Sequence, residues 1–296
     1  PAGMGLGLSG GSITERKKVT VADFSKMKSQ GQRIVMVTSY DYPTSIIADE
    51  AGVDSILVGD SYGMVVLGYD TTIPVTIEEL LPVCQAVRRG ASHSLLIGDM
   101  PFLSFQISEA DAIRNAGRFI KEGRMEAVKI EGGKEMAHIA NAVSNAGIPV
   151  LGHIGLTPQT ATLHGGYRIH GKSADSGERL VEDAKSLEDA GVFGIVLEMV
   201  TEEVARVITK TISVPTIGIG SGRYCDGQVL VLHDILGLYP KFAPKFAKRY
   251  ADVASTIKGA VAEYTSEVRR GTFPEEKHVF KMDDTERDKL DLRQKS

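Results

Sequence analysis

The chain has 296 residues, 42% hydrophobic and 24% charged, with a formal net charge of -4. These values describe an ordinary globular chain. They give no basic footprint for nucleic acid or an anionic membrane surface, and no partner of either kind is expected. Two cysteines, Cys84 and Cys225, exclude a disulfide framework and lack the spacing partners of a zinc site; they fit a reducing, cytoplasmic compartment.

The first eleven residues are glycine-rich, with no basic segment ahead of an apolar one, so they are not read as a signal peptide. No apolar stretch approaches the ~20 residues that span a bilayer. Residues 1–18 read as a disordered arm, 19–273 as one domain with a C-terminal helix, and 274–296 as a charged tail.

Residues 19–29 suit a short helix closing the bottom of the domain. Strands are predicted at 33–38, 55–59, 94–98, 127–130, 150–152, 193–197 and 216–219, with an eighth within 228–232. They are rich in Val, Ile and Leu and scarcely alternate with polar residues, as strands buried on both faces do. Helices are predicted at 43–51, 77–89, 108–122, 134–145, 175–190, 202–209 and 246–269. The joints Glu50-Ala-Gly52, Asn145-Ala-Gly147 and Asp189-Ala-Gly191 each put a glycine just before a new strand, a left-handed helix stop. Alternating units of this size predict an α/β chain folded as a (β/α)₈ TIM barrel. The alternative is an open doubly wound sheet with its site at one switch point.

Four of the apolar runs end on a carboxylate: Asp60, Asp99, Glu131 and Glu198. A fifth ends on His153. In parallel neighbouring strands these ends point to one place, and four such ends suit a closed ring better than an open sheet. Carboxylates gathered there repel one another unless a cation or proton separates them, and Mg²⁺ is the hard cation that suits them. The alternative for Asp60 or Asp99 alone is capping of the helix that follows. Glu198, after a strongly apolar run, suits a general acid or base, or equally an acid at the start of the next helix. Lys129 and Glu131 lie two residues apart and share a strand face. Lys129 is a candidate for holding a substrate carboxylate or a plain ion-pair partner. His153 is a substrate-site candidate or a hydrogen-bonded structural residue. Ser61 offers a hydroxyl and an N–H to an anion, or is a loop serine. Loops 62–75 and 156–174 are long enough to cover the site, the second as a lid with glycine hinges. Gly218-Ile-Gly-Ser-Gly222 is either a weak phosphate cradle or a tight turn.

A series of motifs then makes a specific match. Thr38-Ser-Tyr-Asp-Tyr42, Val58-Gly-Asp-Ser61, Gly68-Tyr-Asp-Thr-Thr-Ile-Pro-Val-Thr76 and Gly98-Asp-Met-Pro-Phe102 come in order. They are followed by Val128-Lys-Ile-Glu-Gly-Gly133, Gly152-His-Ile-Gly-Leu-Thr-Pro-Gln159 and His164-Gly-Gly-Tyr167. Glu198-Met-Val200 and the run from Ile217 to Asp234 complete the series. Over about residues 19–280 the chain closely resembles the ketopantoate (3-methyl-2-oxobutanoate) hydroxymethyltransferases.

The resemblance implies a Mg²⁺-dependent barrel of the phosphoenolpyruvate/pyruvate type. Such a barrel moves a one-carbon unit from 5,10-methylenetetrahydrofolate to 3-methyl-2-oxobutanoate, through a Mg²⁺-stabilised enolate. The product is 2-dehydropantoate, on the route to pantothenate. The resemblance implies Asp60, Asp99 and Glu131 for the metal, Ser61, Asp99, Lys129 and His153 for the substrate, and Glu198 as the base. It also implies a homo-oligomer, a decamer in the family pattern. The rival readings are a lyase or mutase acting on another small 2-oxo acid, and a barrel that binds a carboxylate metabolite without catalysis.

Overall fold

The computed structural model describes residues 16–164, 166–239 and 244–294. Most of the expected N-terminal arm, residues 1–15, lies outside the described residues. Residues 16–18, at its end, dock on the body: Lys18 Nζ donates to Ser94 O and Glu126 Oε2, both at 2.6 Å.

Eight parallel strands close into one barrel, with β8 hydrogen-bonded to β1. They are β1 (Ile34–Thr38), β2 (Ser55–Val58), β3 (Leu95–Asp99), β4 (Ala127–Glu131), β5 (Val150–Gly155), β6 (Gly194–Glu198), β7 (Thr216–Ile219) and β8 (Gly227–Leu230). The predicted (β/α)₈ barrel is therefore the fold, and the open sheet is excluded by the β8–β1 pairing. The outer helices are α2 (Tyr42–Glu50), α4 (Ile77–Gly90), α5 (Glu109–Lys121), α6 (Ala137–Asn145), α7 (Ala174–Asp189) and α8 (Glu202–Thr211). Helix α4 packs on β2 and α7 on β5 and β6, while α2, α5, α6 and α8 lean on the strand that follows each of them: β2, β4, β5 and β7. Helix α1 (Val21–Ser29) closes the bottom, where Phe24 meets Phe193 edge-on at 5.5 Å.

The side-chain period of two divides the strands into two cores. Met36, Leu57, Leu95, Ile97, Ala127, Leu151, Val196 and Ile217 fill the barrel interior beneath its mouth. Val37, Ile56, Val58, Leu96, Val128, Ile130, Ile195 and Leu197 face the helices. The inward set continues upward into polar residues: Leu95 and Ile97 lead to Asp99, and Ala127 leads to Lys129 and Glu131. The apolar interior thus holds the charged ends at the carboxyl mouth.

Five stretches depart from the sequence reading. Inside the two long loops lie a one-turn helix α3 (Tyr62–Val65) and a 3₁₀ helix, Pro158–His164. Short helices also follow β8 and occupy the tail: α9 (Leu232–Leu236) and α11 (Asp284–Gln294). The helix expected from residue 246 begins only at Val253, as α10 (Val253–Arg270), because Asp252 caps it by accepting from Ser255 N at 3.3 Å. Helix α10 buries none of its residues. Ile257, Val261, Tyr264 and Val268 form an exposed apolar stripe at helical spacing. On the barrel, the outer face of β1 is also open at its start, with Val35 at 48% exposure, while Val37 further along is buried. A groove of about 730 Å³ lies there, between Arg33, Val35, Glu202, Gly220, Arg223 and Phe246.

Candidate active site

Strand register builds the site. In the β3–β4 pair Asp99 lies opposite Lys129, and in the β4–β5 pair Glu131 lies opposite His153. In β5–β6, Gly155 lies opposite Glu198. Each of the inward residues is therefore a cross-strand neighbour of the next around the barrel mouth. Lys129 Nζ lies 2.8 Å from Asp99 Oδ1 and 3.5 Å from Glu131 Oε1. His153 Nδ1 is 3.3 Å from Lys129 Nζ and 3.4 Å from Glu131 Oε1, while its Nε2 is 3.2 Å from Glu198 Oε2. Asp60, on the loop after β2, donates its backbone N–H to Asp99 Oδ2 at 3.0 Å.

Asp60, Asp99, Lys129, Glu131 and His153 are each at most 5% exposed. The Glu198 side chain is more open, at 16%. Neither Asp60 nor Asp99 caps a helix: α5 takes its cap from Ser108, and the Asp60 carboxylate accepts from a side-chain amide instead. Lys129 is a buried ion-pair partner of Asp99 and Glu131.

The two glycines preceding the aspartates differ in use. A side chain at Gly59 would sit 3.2 Å from Ser61 Oγ and 3.6 Å from Asp99 Oδ2, inside the site. At Gly98 it would meet Phe119 of α5 and Met125, on the helix side, so this glycine serves packing rather than ligand approach. Gly155 has φ +93°, and a Cβ there would collide with Glu198 O and Val200. It lets β5 pass close to the residue that carries the candidate base.

Electrostatics separate the acids. Burial, then the charges of Asp99 and Glu131, push the Asp60 carboxyl well above the usual range. Burial also raises Asp99, against the opposing pull of Lys129. Burial raises Glu131 too, but Lys129, His153 and the Gln159 N–H outweigh it and hold Glu131 below its usual value. Burial would neutralise His153; Glu131 and Glu198 reverse that and lift it to about 9.

The donor set fits a small hard cation. Asp99 Oδ1 and Glu131 Oε1 are buried and accept no directed hydrogen bond; the Lys129 ammonium lies near them but off the hydrogen-bond direction. Among the described residues no three His, Cys, Asp or Glu side chains close around one point. Mg²⁺ does not require such a cage, since it binds through one or two carboxylates and fills its other positions with water and substrate.

Two residues of the site were not assigned from sequence. Tyr40, 5% exposed, shares a 2.6 Å hydrogen bond with Ser61 Oγ. Gln159, 1% exposed, donates Nε2 to Asp60 Oδ2 at 2.9 Å and to Met100 O at 3.0 Å. Both lie in the motifs Thr38–Tyr42 and Gly152–Gln159, but the search for charged strand ends passes over neutral polar groups. Gly218–Gly222 forms a turn with φ +66° at Gly220 and +79° at Gly222. Ser221 Oγ latches it by donating to Leu197 O at 2.7 Å and accepting from Val200 N at 3.0 Å. In the expected lid, His170 N donates to Met199 O at 2.8 Å, which joins loop 156–174 to the end of β6. Gly165 and the side chain of His164 lie outside the described residues.

Comparison with known proteins gives the family. The chain is 56% identical over 265 residues to the 3-methyl-2-oxobutanoate hydroxymethyltransferase of Carboxydothermus hydrogenoformans, covering 90% of this chain and 96% of that protein. It is 57% identical over 262 residues to the enzyme of the same name from Thermotoga neapolitana, covering 88% and 96%. Among solved structures, phosphonopyruvate hydrolase in complex with oxalate and Mg²⁺ superposes with a TM-score of 0.58 at 12% identity, over 94% of this chain and 97% of that one. The 2,3-dimethylmalate lyase of the PEP mutase/isocitrate lyase superfamily gives 0.56 at 16% identity, over 93% and 96%. These two establish likeness of fold. The profile of the ketopantoate hydroxymethyltransferases matches residues 18–276, and the chain belongs to that family.

Proposed function

We propose that this protein transfers a hydroxymethyl unit from 5,10-methylenetetrahydrofolate to 3-methyl-2-oxobutanoate, forming 2-dehydropantoate. The observation that carries the reading is the line of groups across the mouth. A comparatively open carboxylate, Glu198, stands beside the buried Lys129 and His153, next to acids with uncommitted oxygens. The names of the relatives support the substrate and the reaction.

Asp60 and Asp99 would hold Mg²⁺, with Glu131 reaching it through water. Bound there, the cation would supply positive charge where the keto oxygen gains electrons. Lys129 and the Ser61 hydroxyl receive the carboxylate of the oxo acid, with Asp99 bordering the same position. Tyr40 fixes the Ser61 hydroxyl. Glu198 takes the proton from C3, α to the ketone, and His153 Nε2 steadies its carboxylate. The C3 carbanion then forms a bond to the folate methylene carbon, the two C–N bonds of that carbon break, one water supplies the hydroxyl oxygen, and tetrahydrofolate leaves. Loop 156–174 closes over the reactants and limits bulk solvent, with that one water admitted. The test is formation of 2-dehydropantoate from the two substrates, with and without Mg²⁺. Turnover that needs both substrates and the metal supports the reading. Turnover without folate, or unaffected by EDTA, would remove it.

A homo-oligomer belongs to the same proposal. The exposed stripe Ile257–Val261–Tyr264–Val268 and the open stretch of the β8–β1 wall are complementary needs within one chain, which a second copy satisfies. Light scattering should find an assembly larger than one chain, reduced in size by Val261→Asp with Tyr264→Asp. A monomeric parent protein ends this part of the proposal. Among the described residues no helix is long and apolar enough to cross a membrane.

A further inference from the structure

We propose that Gln159 is a positioning residue that sets which divalent cation the acid cluster accepts, by leaving Asp60 one free oxygen. The inference rests on the reading that Asp60 and Asp99 hold a divalent cation.

The residue sits where three strand ends meet. Its side-chain amide donates to the Asp60 carboxylate, after β2, and to the carbonyl of Met100, after β3. Its backbone N–H donates to Glu131 Oε2, at the end of β4, at 3.2 Å. One residue therefore ties together the ends of all three strands that carry the candidate metal acids. Its amide orientation is dictated: both partners are acceptors, so only the NH₂ face can turn to them. Both amide hydrogens are used. Gln159 Oε1 turns away, 3.4 Å from Gln106 Nε2.

The consequence for Asp60 is geometric. With Oδ2 bound to the amide, Oδ1 is the oxygen left uncommitted, and the carboxylate serves as a one-oxygen ligand. Likewise Glu131 Oε2 is held by the Gln159 N–H, while Oε1 accepts no hydrogen bond. Single oxygens in fixed directions suit Mg²⁺, which demands near-octahedral geometry at ~2.0–2.1 Å. Ca²⁺ takes more ligands at ~2.3–2.6 Å and accepts carboxylates through both oxygens. Freeing Asp60 Oδ2 should thus penalise the smaller ion and spare the larger.

Gln159 lies in the 3₁₀ helix Pro158–His164, at the base of loop 156–174. The grip on Asp60 is therefore also the anchor of the segment expected to cover the site. A change at this residue should be read both by the cation and by the loop.

The experiment is direct binding of Mg²⁺, Mn²⁺ and Ca²⁺ by calorimetry to the full chain and to Gln159→Met, which keeps the length and removes the amide. Limited proteolysis of loop 156–174 with and without Mg²⁺ is run on both. We expect Mg²⁺ affinity to fall about 10- to 100-fold in the variant. Ca²⁺ affinity should change less than threefold, and Mg²⁺ protection of the loop should be lost. A merely structural role would weaken both ions alike, and that result overturns the proposal, as does unchanged Mg²⁺ affinity. If Gln159→Met does not fold, Gln159→Asn shortens the same amide and is read by the same Mg²⁺/Ca²⁺ ratio. Failure of the parent protein to bind any of the three ions would instead remove the underlying metal reading.

Discussion

One buried carboxylate, Asp49, and a cluster of three, Asp60, Asp99 and Glu131, sit at opposite ends of this barrel, and their surroundings differ completely. At the bottom, Asp49, 3% exposed, is saturated with donors. It accepts from the backbone N–H groups of Ser92, His93 and Ser94, from Ser94 Oγ at 2.6 Å and from His93 Nδ1 at 2.9 Å. Burial would raise its carboxyl, but these bonds outweigh it and hold it below the usual range. At the mouth, Asp60, Asp99 and Glu131 crowd together with few donors, and burial and mutual repulsion raise the first two. A carboxylate surrounded by donors stabilises the fold. Carboxylates surrounded by one another store unfavourable charge that a cation can relieve.

The largest effect should come from neutralising the mouth. Asp60→Asn and Asp99→Asn should each lower turnover by about 10³-fold. Asp60→Asn should meanwhile raise stability by ~1 kcal/mol, a melting point higher by about 2–4 °C, because one repelling charge is gone. A drop in both quantities would show Asp60 to be structural. The bottom should behave in the opposite sense. Asp49→Ala leaves the buried Ser94 N–H and the more open N–H groups of Ser92 and His93 without their acceptor and should cost about 2 kcal/mol while leaving kcat unchanged in the folded fraction.

Acid titration separates the two ends by sign. Asp49 has a folded value below its unfolded one, so its contribution is present at neutral pH and is lost as pH falls from about 4 toward the folded value. Asp60 and Asp99 have folded values above their unfolded ones. They destabilise at neutral pH, and that penalty disappears as pH falls through the folded values toward about 4. Thermal melts without metal should show Asp60→Asn gaining over the parent near pH 8 and matching it near pH 4. Asp49→Asn should instead lose most near pH 8, with a flatter acid limb. Equal pH profiles for the two variants would erase the distinction.

The smallest expected effect is at Tyr40. Removing its 2.6 Å bond to Ser61 in Tyr40→Phe should weaken oxo-acid binding by ~1 kcal/mol, about fivefold in KM, with little change in kcat. A fall in kcat at constant KM would place Tyr40 on the proton path instead.

The barrel was legible in the sequence because its strands are continuous apolar runs, and each inward acid breaks such a run at a visible place. Asp99, Lys129, Glu131 and Glu198 could be assigned to one mouth by strand parity alone. What the pattern could not carry was side-chain direction across loops. Gln159 is a neutral amide in a loop, and nothing in its spacing says that it reaches Asp60. Gly59 and Gly98 both precede an acid in the sequence, which does not separate them; only the fold shows that Gly98 makes room for Phe119. Helix α10 starts seven residues later than the sequence pattern places it, since the pattern around 246–252 resembles a helix until Asp252 caps it. The stripe on α10 stands exposed among the described residues, apart from the contact of Phe273 with Tyr264 at 5.6 Å, which only the folded chain reveals.

Whether the mouth is an enolising site is measured most directly by hydrogen exchange at C3 of 3-methyl-2-oxobutanoate in D₂O, without folate. The parent protein with Mg²⁺ should incorporate deuterium at C3. Glu198→Gln should bind Mg²⁺ and the oxo acid with parent affinity yet exchange at least about 10²-fold more slowly, and EDTA should stop exchange in the parent. Undiminished exchange in Glu198→Gln, or in the parent under EDTA, would contradict the account.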